Sequence, residues 1–194
     1  MSSEEEQIKQ LKQWWDDNGV STMVSIVIAV GVVFGWQGWQ RNQQAHQENA
    51  ALAYEELIMA TQAIMESPDD IKIAQATFLA NEIKEDYDNT GYSAFSAFLI
   101  ARQAVIDKDY TTAETELREI LSRELSQEIQ TLAQYRLARV LYTAERYDEA
   151  IESLPNESES AYTPLFEELK GDIMLAQEDY QQAYDAYRSA KQIA

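Results

Sequence analysis

The chain has 194 residues, a formal net charge of −19 and no cysteine. The missing thiols remove disulfides, thiolate metal sites and thiol catalysis together, and the acidic balance repels nucleic acid and anionic headgroups, so no nucleic acid is expected as a partner. The length leaves room for one membrane span plus a soluble domain of about 150 residues, enough for a sizeable core.

Residues 4–17 (EEEQIKQLKQWWDD) can form an amphipathic helix, with Ile8, Leu11 and Trp15 spaced by three and four. Asn18-Gly19 predicts a break at the membrane surface. The stretch Val20 to Trp39 (VSTMVSIVIAVGVVFGWQGW) follows, with no charge between Asp17 and Arg41. As a helix its 20 residues rise roughly 30 Å, the thickness of a bilayer's hydrocarbon core. All four tryptophans sit at its ends, Trp14 and Trp15 before it and Trp36 and Trp39 at its close. An indole pairs an apolar ring with one N–H donor and prefers the headgroup level, so this is an aromatic belt around a membrane anchor.

A cleavable export signal would carry a basic start and a small-x-small cleavage site. This start is acidic, and Gln37-Gly38-Trp39-Gln40-Arg41 is no such site. Gly31 and Gly35 have the small-xxx-small spacing that lets membrane helices approach closely. Lys9, Lys12 and the amino terminus precede the span and only Arg41 closely follows it. By the positive-inside rule this places the N-terminus in the cytoplasm and the large domain outside. The divisions expected are 1–19 cytoplasmic segment, 20–39 transmembrane helix, 40–91 helical stalk and atypical first helix pair, and 92–194 repeats.

Gln40 to Ala60 is unbroken by Gly or Pro, so one helix is expected to leave the bilayer and enter the soluble domain, ending at Ser67-Pro68. A second is expected from Ile71 to Tyr87, before the turn signal Asp88-Asn89-Thr90-Gly91. From Tyr92 the chain repeats itself. Tyr110-Thr111-Thr112-Ala113, Tyr147-Asp148-Glu149-Ala150 and Tyr180-Gln181-Gln182-Ala183 share Tyr-x-x-Ala, their tyrosines 37 and then 33 residues apart. A small residue lies nine places before each Tyr (Ala101, Ala138, Gly171), and a large one four places after each Ala (Leu117, Leu154, Tyr187). The period is that of stacked helix pairs: the small residue allows close approach, Tyr packs at the corner, and Ala lets the second helix pass the next pair. This resembles tetratricopeptide repeats in three degenerate units, and the fold expected is all-α, one N-terminal transmembrane helix followed by a helix-pair solenoid. Such arrays usually close with a polar capping helix, and this sequence stops in the second helix of its last unit. Either a partner caps it or the sequence is shortened.

Nothing in the chain reads as chemistry. His46 is the only histidine, with nothing beside it to complete a metal or nucleophile set; no phosphate-cradling Gly loop occurs; and carboxylate pairs such as Glu55-Glu56 belong on a solvated face. The expectation is a protein with no catalytic residue, cofactor or metal. The repeat pattern places Phe95, Phe98 and Arg102, then Leu132, Tyr135, Arg139 and Tyr142, then Leu165, Glu168 and Asp172, on the face of a binding groove. Aromatic and Arg side chains are what interface anchors are made of. Repeats that clamp the carboxyl terminus of cytosolic heat-shock chaperones use Lys and Asn there, and Phe98, Tyr135 and Glu168 disfavour that ligand.

The whole is more specific than its parts. An acidic start, Trp14-Trp15 before Asn18-Gly19, a span closing Gly35-Trp36-Gln37-Gly38-Trp39, then Ala50-x-Leu52-Ala53-Tyr54 and degenerate repeats resemble the YfgM family over essentially the whole chain. The resemblance implies a single-pass inner-membrane protein of Gram-negative bacteria with periplasmic repeats. It further implies an ancillary subunit of the SecYEG translocon, associated with the periplasmic chaperone PpiD and handling newly exported polypeptides. The residues themselves leave two other readings open: a structural scaffold of an unrelated cell-envelope complex that never meets export substrates, and a cytoplasm-facing regulator.

Overall fold

The computed structural model describes residues 2–67, 69–88, 90–155 and 162–193. Among them the chain forms eight helices and no strand: α1 (Ser2–Glu66), α2 (Asp70–Asp86), α3 (Gly91–Ile106), α4 (Tyr110–Leu121), α5 (Gln127–Thr143), α6 (Tyr147–Ser153), α7 (Thr163–Ala176) and α8 (Tyr180–Ile193). The all-α architecture expected from periodicity is the one observed. Pro68 and Asn89, read above as a helix stop and a turn signal, lie outside the described residues. The chain divides into two compact units, residues 1–48 and 49–194.

Within the first unit the expected break at Asn18-Gly19 does not occur; α1 runs straight through it. Asn18 Nδ2 donates to the Trp14 carbonyl at 3.0 Å, so its amide is satisfied by the helix instead of competing with it. Gly19 is buried under the Trp15 indole, where an added Cβ would lie 3.2 Å from the ring. The glycine makes room for an indole one turn earlier and marks no turn. From Val20 to Trp39 the large apolar side chains point outward, Val20 82% and Phe34 69% exposed. An 18-residue window in this helix reaches a mean hydropathy of 2.0, long and apolar enough to cross a membrane. In water so continuous an apolar band would be a severe association liability, so lipid or another helix must cover it.

The second unit is built on corners of one design. At each Tyr-x-x-Ala string the preceding helix closes on a residue with positive φ: Lys108 (61°), Glu145 (59°) and Glu178 (63°). In each, the next N–H reaches back five residues, Asp109 to Ala104 at 2.8 Å, Arg146 to Leu141 at 2.9 Å and Asp179 to Met174 at 2.9 Å. The left-handed residue's own N–H reaches back three, which completes a Schellman closure. Asp109 and Asp179 then cap α4 and α8, accepting from Thr112 N and Gln182 N, each at 3.1 Å. The Tyr is thus the first residue of each second helix, and the Ala one turn on is buried (Ala113, Ala150, Ala183).

The main core joins α3, α4, α5, α6 and α7 through Phe98, Leu117, Ile120, Leu137, Leu141 and Ile173, with alanines at the close approaches. A smaller cluster of Leu57, Ala76, Ala80 and Ile83 packs the end of α1 on α2, with Tyr92, Leu99 and Ile100 of α3 against it. The small residues expected before each Tyr sit where helices touch: Ala101 and Ala138 are buried, and a Cβ on Gly171 would fall 2.6 Å from the Tyr187 ring. One register position departs from expectation. Leu154 does not continue its helix like Leu117 and Tyr187; it is extended (φ −75°, ψ 141°), because Pro155 after it disfavours the helical region.

Polar ties run along one side at nearly the repeat spacing. Lys84 of α2 meets Glu116 at 2.6 Å and Glu119 at 2.9 Å on α4. Glu114 of α4 pairs with Arg146 at the start of α6. Gln177 after α7 donates to Asp148 of α6 at 3.0 Å.

Candidate functional site

The repeats place three successive first helices side by side, α3 against α5 and α5 against α7. Between α3 and α5 opens a slot of about 330 Å³ lined by Phe98, Arg102, Val105, Arg136, Arg139 and Val140, among others. Its floor is apolar because positions 98, 101, 105 and 140 recur at helical spacing on facing helices. Its rim carries three guanidinium groups and no carboxylate. Arg136 lies over the Phe98 ring, 4.4 Å from the centroid, a cation–π contact that fixes the head of a half-buried side chain. Arg139 sits 5.7 Å from the Tyr135 ring centre.

Burial, and Arg139 and Arg102 nearby, hold Arg136 below the usual arginine range, while Tyr162 and Tyr54 act in the opposite sense. Among the described residues the cations of the ion pairs are Lys84, Arg118, Arg123, Arg146 and Arg188, so none of the three slot arginines has an anionic partner. In a chain of net charge −19 this leaves three adjacent unpaired positive charges over an apolar floor.

The slot unites Phe98, Arg102 and Arg139 of the residues singled out from the sequence. The others lie elsewhere. Phe95 is partly exposed against the Tyr54 ring, centroids 5.9 Å apart. Leu132 packs on the main core, Tyr135 meets Phe166 edge-on at 5.9 Å, and Tyr142 lies against Tyr147 at a corner, 6.0 Å away. Leu165 and Glu168 are exposed on α7, and Asp172 accepts a hydrogen bond from the Tyr187 hydroxyl at 2.7 Å. That bond, above all, pushes the Tyr187 hydroxyl up to about 12. Arg136 was missed from sequence, although it stands four residues after Leu132 and three before Arg139, the spacing that puts residues on one helix face.

Below the slot's family of contacts, on the other side of α3, a second cleft of about 240 Å³ is lined by Leu57, Ile64, Met65, Leu99 and Ile106, and shares Arg102 with the first. In the first unit, Trp14 and Trp15 lie 6.5 Å apart and Trp36 and Trp39 5.3 Å apart, as rings grouped at either end of the apolar stretch. Beyond the adjoining residues and the helix's own backbone, no atom lies within 4 Å of where a Cβ on Gly31 or Gly35 would be, so the backbone there is open to a close neighbour. Among the described residues no three His, Asp or Glu side chains gather as a metal site requires.

A family model described as a tetratricopeptide repeat-like domain matches residues 12–193. The chain is 31% identical over 191 residues to the ancillary SecYEG translocon subunit of Aggregatibacter actinomycetemcomitans, covering 98% of this chain and 90% of that one. It is 27% identical over 189 residues to the protein of that name from Haemophilus influenzae (97% and 89% covered). To the one from Escherichia coli K12 it is 25% identical over 187 residues (96% and 86% covered). No solved structure gives a significant match.

Proposed function

The chain belongs to the YfgM family of ancillary SecYEG translocon subunits, built on a tetratricopeptide repeat-like domain, and from that premise we propose that it is a non-enzymatic, membrane-anchored adaptor of the Sec translocon. In this reading residues 20–39 span the inner membrane once, residues 1–19 face the cytoplasm, and residues 40–194 lie in the periplasm. The repeats receive exported polypeptides beside the translocon exit and pass them to periplasmic chaperones, PpiD among them.

One observation carries the proposal: a single chain holds both an outward-facing apolar helix of bilayer length and a repeat face furnished with arginine and aromatic side chains. The first has no use without a membrane, the second none without a partner. Lys9 and Lys12 before the span support the outward orientation. Relatives named as ancillary subunits support a supporting part over a catalytic one.

The test is photocrosslinking in living cells, with a photoreactive residue at Val32 or at Phe95, both exposed, and mass spectrometry of the adducts. Translocon subunits captured from Val32, and periplasmic chaperones or exported chains captured from Phe95, are the expected result. Cytoplasmic proteins captured from Phe95 would invert the topology. Adducts confined to an envelope complex without the translocon would replace the adaptor by a scaffold.

A further inference from the structure

We propose that the slot between α3 and α5 receives an acidic, apolar-flanked stretch of a partner polypeptide, its side-chain carboxylates held by Arg102, Arg136 and Arg139. The inference rests on reading this face as a binding surface and names the chemistry of what binds there.

The argument starts from charge. A guanidinium is a planar fork that pairs with a carboxylate through two parallel N–H···O bonds. Three of them border one opening, and among the described residues none is ion-paired. Like charges placed together repel, and Arg136 already feels Arg139 and Arg102 as a cost to its charged form. An anion between them relieves that repulsion, so the free protein is poised to gain from one. Elsewhere on this chain arginines do have partners: Arg146 reaches Glu114 and Glu149, and Arg123 reaches Glu119. Among the described residues of the second unit, 49–194, the slot arginines are the arginines without an ion pair.

The floor selects what accompanies the carboxylates. Phe98, Val105 and Val140 line it, and the cleft on the far side of α3 carries Ile64, Met65 and Leu99, with Arg102 and Ile106 common to both. Two apolar recesses flanking one arginine suit side chains that alternate acidic and apolar along an extended or helical segment, and a compact metabolite would fill only one. Size also separates a short peptide from a polyanion. Screening confines the arginines' field to roughly 8 Å at physiological salt. A short acidic segment meets only the local positive patch. A nucleic acid or an anionic membrane would run on into a surface whose chain carries −19.

The experiment uses the full-length chain in detergent micelles and fluorescence anisotropy of a labelled, C-terminally amidated peptide, Gly-Ser-Asp-Leu-Glu-Phe-Asp-Leu-Ser-Gly. Amidation removes the terminal carboxylate, so only side-chain carboxylates are offered. Its twin has Asn and Gln in place of Asp and Glu. The acidic peptide is expected to bind, the twin about tenfold or more weakly, and raising salt from about 50 to about 300 mM to weaken the acidic peptide selectively.

The double variant R102Q/R139Q, changing two exposed side chains, is expected to lose about tenfold of that affinity with its melting temperature unchanged. R136M, which keeps an apolar stem over Phe98, is expected to lose a similar factor. Equal binding of the twin, wild-type affinity in both variants, or no binding of the acidic peptide would each overturn the proposal. Repeating the Val32 and Phe95 crosslinks in R102Q/R139Q cells separates the two levels. Translocon adducts that persist while the peptide preference is absent leave the adaptor standing and remove only the acidic ligand. Loss of the adducts in the wild type removes the adaptor itself.

Discussion

Replacing Gly171 by alanine sets two effects of opposite sign against each other. In a helix interior Gly→Ala gains about 0.8–1 kcal/mol of helix propensity. Here the new Cβ would stand 2.6, 2.7 and 2.9 Å from three carbons of the Tyr187 ring. Carbon atoms pack comfortably at about 3.5–4.0 Å, so the ring must retreat by about 1 Å. Overpacking of this kind costs about 1–3 kcal/mol. Retreat also strains the hydrogen bond from the Tyr187 hydroxyl to Asp172, now 2.7 Å.

Set against the propensity gain, the clash leaves G171A expected to destabilise the α7–α8 pair by up to about 2 kcal/mol. Truncating the ring removes the clash and leaves the propensity, so in a Y187A background the same change is expected to stabilise by about 0.8–1 kcal/mol. The difference between the two backgrounds is a coupling of about 1–3 kcal/mol, within the range for residues in contact. Y187F keeps the offending carbons and should not rescue. Thermal unfolding of the six proteins, three backgrounds with and without G171A, followed by far-ultraviolet circular dichroism in detergent, reads each kcal/mol as a shift of about 2–4 °C. A rise in melting temperature for G171A in both the wild-type and Y187A backgrounds would refute the reasoning, since the ring then does not rest on the glycine.

Other outcomes follow from the same structure. Glu114 accepts from Arg146 and Arg118, chiefly Arg146, which holds its carboxyl below the value of 4.5 expected when unfolded. Stability linked to it is therefore fully present above about pH 4.5 and is lost as pH falls through the depressed folded value. Melting curves of E114Q should be flatter over that acid range than those of the wild type. Lys108, Glu145 and Glu178 each hold a left-handed backbone that costs an L-residue about 1–2 kcal/mol, against a glycine entropy cost of about 0.5–1. Changing any one to Gly should stabilise by about 0.5–1 kcal/mol in thermal melts. Leu137, 2% exposed in the main core, should cost about 2–5 kcal/mol when cut to alanine, read by the same melts. V27K, in the middle of the apolar stretch, adds about 3 kcal/mol to membrane insertion and should shift the protein out of the membrane fraction.

The repeat corners were legible because their determinants are local. Tyr110, Tyr147 and Tyr180, with alanine three residues after each, state a helix start and a close approach within one short string, and Asp109 and Asp179 add a cap at two of the three. The left-handed residues at those corners were not legible. Lys108, Glu145 and Glu178 are charged, and the conformation is imposed by the helix closing behind them, a job usually given to glycine. Gly19 misled in the opposite direction: beside Asn18 it has the look of a turn, and only the Trp15 ring lying on it reveals its use. Leu154 fell out of register through its neighbour Pro155, visible in sequence but outvoted by the repeat alignment. Phe98, Arg102 and Arg139 could be placed on one face by repeat spacing. Arg136 belongs to the same face by its three- and four-residue separations, but its stacking on a ring from the preceding unit is a tertiary fact that no local pattern encodes.

The ties along one side of the second unit give the array a direction of unravelling. In a stack where each unit touches only its neighbours, the order in which units let go follows the strength of the links between them. The links from α2 to α4 and from α4 to α6 are ion pairs, Lys84 with Glu116 and Glu114 with Arg146, whereas Gln177 to Asp148 is a single amide–carboxylate bond. Hydrogen exchange should therefore spread from the carboxyl end, with α7 and α8 trading protons together before α3 and α4 do. A stack that loosens from its far end can lose its last pair while Arg102, Arg136 and Arg139 stay seated on α3 and α5.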